Sequence, residues 1–132
     1  MNYLLDTHTL IWAISKSHHL SKKVTGIIKD SQNEIVVSAV SFWEISIKAR
    51  IGKLNLDGLT SEALLTLSEE MAFQPIGLTV EEAATYGRLE DAGHSDPFDR
   101  ILIWQAISRN MTLLSKDEAF QKFIKQGLKL LW

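Results

Sequence analysis

The chain contains the run His94-Ser95-Asp96-Pro97-Phe98-Asp99-Arg100, which continues into the apolar segment Ile101-Leu102-Ile103-Trp104-Gln105-Ala106. Pro97 suits the first position of a helix, where its missing N–H would have no partner anyway. Asp96 is then predicted to be the N-cap, with Asp99 in the first turn. Helical spacing puts Asp99 at the head of an apolar stripe, where an unpaired carboxylate is costly to bury. We therefore interpret Asp99 as a functional residue, whereas capping accounts equally well for Asp96.

A second acid lies within an apolar helical pattern. The segment from Ala39 to Ile51 is predicted to be a helix that ends at Gly52. Glu44 falls inside its apolar stripe, which consists of Val40, Trp43, Ile47 and Ile51, widened by Phe42, Ile45 and Ala49. The alternative is a capping box, Ser41-x-x-Glu44, which requires the helix to begin at Ser41 and gives up the apolar turn before it.

Short apolar runs alternate with helical patterns along the whole chain. Strands are predicted within residues 3–5, 34–38, 73–78, 111–114 and 128–132, and the proline of the third run indicates an edge strand. Helices are predicted between these strands, and a last one between the fourth and the fifth. This alternation predicts a single α/β domain over residues 1–132, a three-layer sandwich with a mostly parallel central sheet. Ligands of such sheets bind beyond the carboxyl ends of the strands.

Four acids are predicted to meet at that edge. Asp6 and Asp117 directly follow predicted strands, and Glu44 and Asp99 lie in the first turns of helices. Two carboxylates about 5 Å apart repel by roughly 3 kcal/mol at an effective dielectric near 20, so a divalent cation would relieve the crowding. With only carboxylate and water ligands, Mg²⁺ or Mn²⁺ fits better than zinc. We predict that these four acids hold the metal and carry out phosphoryl chemistry.

Other polar residues next to these acids are candidates for supporting roles. Thr7 and Ser115 each stand beside an acid at a strand end and are predicted to orient an acid, a water or a phosphate. Helix capping accounts equally well for Ser115. Arg100 is a candidate phosphate contact, as are Lys48 and Arg50, the alternative for each being a solvated helix charge. His94 precedes the acidic turn and is a candidate substrate contact.

Composition narrows the class of protein. The chain has no cysteine and a formal net charge of −2, which excludes thiolate zinc sites and argues against a broadly basic surface that coats nucleic acid. Its first residues carry neither a basic region nor an apolar run of signal-peptide length, and no segment is long enough to span a membrane. We expect a cytoplasmic protein.

The sequence resembles the PIN-domain family, and within it the VapC-like toxins of bacterial toxin–antitoxin pairs. The matching segments, in order and spacing, are Leu5-Asp6-Thr7-His8-Thr9-Leu10-Ile11-Trp12, residues 37–48, Gly52-Lys53-Leu54, residues 94–100 with Gln105-Ala106, and Leu113-Leu114-Ser115-Lys116-Asp117 with Phe120. Each segment alone has low specificity, but the complete series is highly specific and extends to Leu131-Trp132.

The resemblance implies a magnesium-dependent ribonuclease with RNA as its substrate. It places the four family acids on Asp6, Glu44, Asp99 and Asp117, with Asp96 as an additional acid whose role is open. It also implies a homodimer, and an antitoxin whose chain wraps the toxin and covers the site. One departure is that Ser115 stands where threonine is more usual, and serine keeps the hydroxyl.

Two other functions compete with this hypothesis. The first is an RNA-processing PIN nuclease that is not a toxin, since nothing in the sequence identifies the RNA. The second is a catalytically silent α/β module for binding or signalling, such as a phosphoacceptor receiver domain. A receiver domain needs adjacent acids after its first strand, whereas Asp6 stands alone. A phosphatase with a nucleophilic aspartate expects a second acid two positions on, where this chain has His8.

Overall fold

A computed structural model describes residues 1–132 and has a five-stranded sheet at its centre. The strands are β1 (Asn2–Leu5), β2 (Glu34–Ser38), β3 (Gln74–Ile76), β4 (Thr112–Leu114) and β5 (Lys129–Leu131). Their spatial order is β3-β2-β1-β4-β5, and all four pairings are parallel. The predicted parallel α/β architecture is confirmed, and Pro75 does lie in an edge strand, where a missing N–H leaves no ladder bond broken.

The order of the strands fixes where a cleft can form. From β1 the chain moves outward through β2 to β3, and then returns to place β4 on the other side of β1. The connections therefore leave β1 and β4 in opposite directions, and a crevice opens at the carboxyl ends of these two strands. Asp6 follows β1 and Ser115 follows β4, so both residues stand at this crevice.

Helices cover both faces of the sheet. They are α1 (Thr7–Ser15), α2 (Lys22–Lys29), α3 (Ala39–Arg50), α4 (Ser61–Glu70), α5 (Val80–Thr85) and α6 (Pro97–Ser108), with 3₁₀ helices at Ser17–His19, Tyr86–Arg88 and Glu118–Gln126. The predicted last helix is thus a 3₁₀ helix, which ends at Gly127 in a left-handed conformation (φ +106°). None of the helices has the length and apolar character needed to cross a bilayer.

Two separate cores lie on the two faces of the sheet, because successive strand residues point to opposite sides. Tyr3 and Leu5 of β1 pack with residues of α1, α2 and α4, while Leu4 between them packs with residues of α6 and the last 3₁₀ helix. Strand β2 divides in the same way, with Val36 on the α6 side. A strand buried on both faces explains why these segments read as continuous apolar runs rather than alternating ones.

The structure corrects the apolar stripe predicted for α3. Trp43 and Ile51 are 60% and 57% exposed, whereas Ser41, Glu44 and Ile45 are buried. The inward face of the helix is therefore rotated away from the apolar pattern, and it includes a serine and a glutamate. The helix begins at Ala39 with Ser38 as its N-cap, so Ser41 does not form a capping box with Glu44. The apolar pattern predicted the wrong inward face for α3, because the side chains that the helix buries include the polar Ser41 and Glu44.

A buried ion pair fastens α5 to α6. The pattern Thr79-x-x-Glu82 predicts a capping box at the start of α5, and the structure confirms it. Glu82 also accepts hydrogen bonds from Arg109 (Nε to Oε2, 2.8 Å) and Gln105 (Nε2 to Oε1, 3.3 Å). Gln105 also accepts a hydrogen bond from Ser38 at the end of β2 (2.7 Å). The network thus links the carboxyl end of β2 to α5 and α6. The Arg109 guanidinium lowers the pKa of Glu82 to about 2.

The substitution Glu82→Gln tests this network. We expect it to lower the free energy of unfolding by about 2 kcal/mol at neutral pH, because it leaves the Arg109 charge without its partner. The contribution of a carboxylate with a lowered pKa is fully present above about pH 5 and is lost as the pH falls towards 2, so the difference between the two proteins should shrink over that range. Urea unfolding at several pH values measures it. The matched control is Glu81→Gln, on an exposed neighbour in the same turn, and an equal loss in the control would contradict the assignment.

Candidate functional site

A cleft of about 620 Å³ opens at the carboxyl ends of β1 and β4. It is lined mainly by charged and polar side chains, of which six are acids: Asp6, Glu44, Asp96, Asp99, Asp117 and Glu118. All four acids predicted from the sequence to form one site therefore lie around one cavity. They come from four separate segments, each an N-terminal part of a helix that follows a strand or loop.

Asp6 lies at the bottom of the cleft and is buried. As the N-cap of α1 it accepts a hydrogen bond from the backbone N–H of Thr9 (2.8 Å), and its other oxygen accepts one from the hydroxyl of Ser115. Burial raises the pKa of Asp6, and these two hydrogen bonds oppose the rise. The charged form is thus held by neutral donors, with no cationic side chain within salt-bridge distance.

Ser115 connects two of the acids across the crevice. Its oxygen donates to Asp6 and accepts a hydrogen bond from the backbone N–H of Asp117 (3.1 Å). Asp117 itself is more exposed and caps the last 3₁₀ helix through the N–H of Ala119 (2.9 Å). The structure therefore gives Ser115 an orienting contact, while the cap of the following helix is Asp117.

Glu44 enters the cleft from α3 and is buried. Its Oε1 accepts a hydrogen bond from the hydroxyl of Thr7 (2.6 Å), and its Oε2 pairs with Lys48 one turn along the helix. The pKa of Lys48 is raised by its hydrogen bond to Glu44 and by the negative charges of Asp96 and Asp99. Lys48 lines the cleft and partly offsets the charge of its acids.

Asp96 and Asp99 come from the start of α6. Asp96 is the N-cap as predicted, and accepts hydrogen bonds from the N–H groups of Phe98 (2.8 Å) and Asp99 (3.2 Å). Asp99 Oδ2 lies 2.9 Å from Nε2 of His94. Burial raises the pKa of Asp99 to about 6, with further increases from the charges of Asp96 and Glu44, and the hydrogen bond with His94 opposes them.

Three of the acids lie close enough together that they could hold a metal ion. One carboxylate oxygen from each of Glu44, Asp96 and Asp99 lies within 4.8 Å of the others. The donors are all carboxylate oxygens, which suit a hard cation such as Mg²⁺ or Mn²⁺ and not a thiolate metal. Asp96 is therefore both a helix cap and a member of this cluster, two roles that the sequence did not separate.

Arg100 lies outside the cleft. Its guanidinium donates to the hydroxyl of Tyr86 (2.8 Å) and to the carbonyls of Leu89 (2.9 Å) and His94 (3.3 Å). These contacts hold the loop that carries His94 against α6, so in this structure Arg100 acts on the site through that loop. Arg50 is exposed at the far end of α3, and neither arginine lines the cavity.

Five cleft residues were not singled out as site residues from the sequence, namely His8, Trp12, Lys116, Glu118 and Phe120. Trp12 and Lys116 line the cavity on the side of Asp6 and Asp117. An aromatic residue in a helical pattern is indistinguishable from a core residue by spacing alone, and a lone lysine next to a strand carries no pattern. A signal was nevertheless present, because Trp12 lies one turn after His8 on a helix that begins at a site acid.

The raised pKa of Asp99, which is due first to burial and then to the charges of Asp96 and Glu44, predicts a gain in stability when this acid is neutralised. An acid whose pKa is raised in the folded protein binds more protons than in the unfolded chain between about pH 4 and 6, so stability falls as the pH rises through this range. Without divalent metal, Asp99→Asn is expected to raise the free energy of unfolding by about 1–2 kcal/mol above pH 7, and to have little effect near pH 4.

Thermal unfolding in EDTA at the two pH values measures this effect. The exposed Glu69→Gln, at the end of α4, is the matched control and should change stability little at either pH. A destabilised Asp99→Asn protein at neutral pH would show that the cleft does not strain this carboxylate.

Comparison with known proteins agrees with this architecture. The family model of the PIN domain matches residues 3–125. Ribonuclease VapC22 of Mycobacterium tuberculosis (strain ATCC 25618 / H37Rv) is 29% identical over 114 residues, which cover 86% of this chain and 85% of that protein.

Two solved structures share the fold. VapBC2 from Rickettsia felis, bound to a DNA fragment from their promoter, aligns with a TM-score of 0.70 at 19% identity, over 99% of this chain and 98% of that one. VapBC-1 from nontypeable Haemophilus influenzae aligns with a TM-score of 0.67 at 21% identity, over 99% and 97%. Because the family model spans nearly the whole chain and the fold agrees with it, this protein belongs to the PIN-domain family.

Proposed function

We propose that the protein is a metal-dependent endoribonuclease that hydrolyses phosphodiester bonds of RNA in the acidic cleft. The observation that carries the proposal is the convergence of Glu44, Asp96 and Asp99 within 4.8 Å, beside the buried Asp6. So many acids in one cavity favour a site that is complete only with a cation. The similarity to a protein named as a ribonuclease supports RNA as the substrate.

A magnesium or manganese ion would be held by Glu44, Asp96 and Asp99, and Asp6 and Asp117 are the remaining candidate ligands in the cleft. A bound divalent ion lowers the pKa of its water and neutralises charge on the phosphate. The protein's own contribution is to hold the acids still. Thr7 and Lys48 fix both oxygens of Glu44, and Thr9 and Ser115 fix both oxygens of Asp6.

The free proton acceptors of the cleft follow from these contacts. Oδ2 of Asp99 is hydrogen-bonded to His94, so Oδ1 remains available in the cleft. Oδ1 of Asp117 caps the last 3₁₀ helix. Because Asp117 is exposed, its other oxygen can take a proton from a water. We assign Asp6, Glu44, Asp99 and Asp117 as the catalytic and metal-binding set, with Asp96 as a further ligand and Thr7 and Ser115 as orienting residues. Arg100 positions the loop that carries His94.

Cleavage assays test the assignment. Asp6→Ala and Asp99→Asn are each expected to abolish the cleavage of RNA in the presence of Mg²⁺, while the folded state persists. The expected gain in stability of Asp99→Asn separates lost chemistry from lost folding. Glu69→Gln, on the exposed end of α4, should cleave at the rate of the natural protein. Undiminished cleavage by Asp6→Ala or Asp99→Asn would rule out the proposed site.

Metal binding has a readout that is independent of activity. Mg²⁺ or Mn²⁺ should raise the melting temperature, because the ion binds the assembled acids and not the unfolded chain. Glu44→Gln should show a smaller increase than the natural protein, since it removes one of the three clustered carboxylates. An increase equal to that of the natural protein would remove Glu44 from the ligand set.

We further infer that the biological role is that of a VapC-like toxin, cytoplasmic and paired with a protein antitoxin. The support is that three of the solved structures sharing its fold are VapBC structures, two of them bound to DNA. A groove between α3, α4 and β3 is lined by Phe42, Trp43 and Leu65 and offers a surface for a protein partner. A homodimer, as is usual in the family, would use an apolar face of the same kind.

A further inference from the structure

We propose that one wall of the cleft is a stacking platform for an unpaired RNA base beside the scissile phosphate, built on Trp12 with Lys116 as a phosphate contact. The inference rests on the proposed ribonuclease function and assigns a positioning role in it to two residues that lie outside the acid cluster.

Trp12 is held in place by other rings. His19 stacks on it with ring centres 5.3 Å apart and an angle of 24° between the planes. His8 lies 5.7 Å away, and Trp132 packs edge-on at 5.9 Å. The indole is half-buried by these neighbours but lines the acidic cleft, and it is not packed against either apolar core. A flat ring that is fixed on several sides and open to a polar cavity can accept a further ring at low entropic cost.

Lys116 adds a positive charge at the same place. Its Nζ lies 6.0 Å from the centre of the Trp12 ring, and the residue lines the cleft between Ser115 and Asp117. The ammonium has no salt-bridge partner, unlike Lys48, which is paired with Glu44, and Lys16, which is paired with Asp57. It is therefore free to meet a phosphate oxygen of a chain whose base lies on the indole.

The surroundings of Trp12 are cationic, whereas the floor of the cleft is acidic. The pKa of His19 is lowered by partial desolvation and by the positive charges of His18, Lys16 and Lys116. A nucleic acid entering the cleft thus meets aromatic and cationic groups beside Asp6 and Asp117, at a place distinct from the cluster of Glu44, Asp96 and Asp99. This division separates binding of the chain from chemistry on one of its phosphates.

The combination selects for unpaired RNA. In a duplex the base faces are covered by their neighbours, so a base must be splayed out to stack on a side chain. Aromatic platforms with adjacent cations are typical of proteins that bind single strands, and they tolerate every base because each base has a π-face. The platform therefore predicts a requirement for a single-stranded segment, and little preference for one base at this position.

Binding measurements in a cleavage-deficient background test the platform. The parent is the Asp99→Asn protein with Mg²⁺, and the probe is a pool of short, fluorescently labelled single-stranded RNAs read by anisotropy. Trp12→Leu should weaken binding about 5- to 100-fold, and Trp12→Phe should restore part of it. The matched control is Trp104→Leu, because Trp104 is half-buried like Trp12 but lies outside the cleft, where its Nε1 donates to the Thr85 hydroxyl. The control should bind like the parent.

A second probe pool carries an abasic nucleotide in place of one internal base. The parent should bind this pool more weakly than the intact pool. Trp12→Leu should bind the two pools with nearly equal affinity, because removing the base and removing the indole abolish the same contact. Lys116→Met should weaken binding and reduce the slope of log affinity against log salt by about one. If thermal unfolding shows that Trp12→Leu is not folded, the RNA affinity of Lys116→Met tests the platform instead.

The outcomes distinguish this inference from the proposed function. If the parent binds single-stranded RNA and the natural protein cleaves it, but Trp12→Leu and Lys116→Met bind as the parent does, the platform is overturned and the nuclease stands. If the natural protein neither binds nor cleaves RNA, both are overturned. Equal affinity of the parent for a fully paired duplex of the same sequences would also overturn the platform.

Discussion

The main physical constraint on this fold is that several carboxylates lie close together at one edge of the sheet, which costs free energy. Glu44, Asp96 and Asp99 lie within 4.8 Å of one another, and Asp6 is buried beside them. Like charges this close repel by several kcal/mol at the effective dielectric of such a site. Burial raises the pKa of both Asp6 and Asp99, and for Asp99 the charges of Asp96 and Glu44 add to the increase. Such an arrangement is stable only because the rest of the fold holds it in place.

The fold holds the acids by giving their oxygens neutral hydrogen-bond donors. Asp6, Asp96 and Asp117 are all N-caps, so each carboxylate accepts from the backbone at the start of a helix, where negative charge is favoured. Ser115 ties Asp6 to the next strand, and Thr7 ties Glu44 to α1. The same contacts that stabilise the helix termini therefore orient the acids towards the cleft.

Capping also explains which parts could be predicted from the sequence. The Asp96–Pro97 start of α6 and the capping box of Thr79 and Glu82 are local signals, and both are found as predicted. The face of α3 was not, because burial of Ser41 and Glu44 depends on what α1 and α6 place opposite them. Trp12 likewise reads as a core residue by periodicity. Only the packing of its neighbouring rings reveals that it faces the cavity.

The sequence by itself determined the order of strands and helices, the parallel sheet and the four acids at its carboxyl edge, since these follow from local hydrophobic pattern and from the handedness of strand–helix–strand connections. Only the tertiary structure decided which acids cluster, that Asp96 joins them while Asp117 stands apart, and that Arg100 is bound to its own loop. The physical reason is that distances between side chains from distant segments depend on helix rotation and packing, which no local pattern encodes.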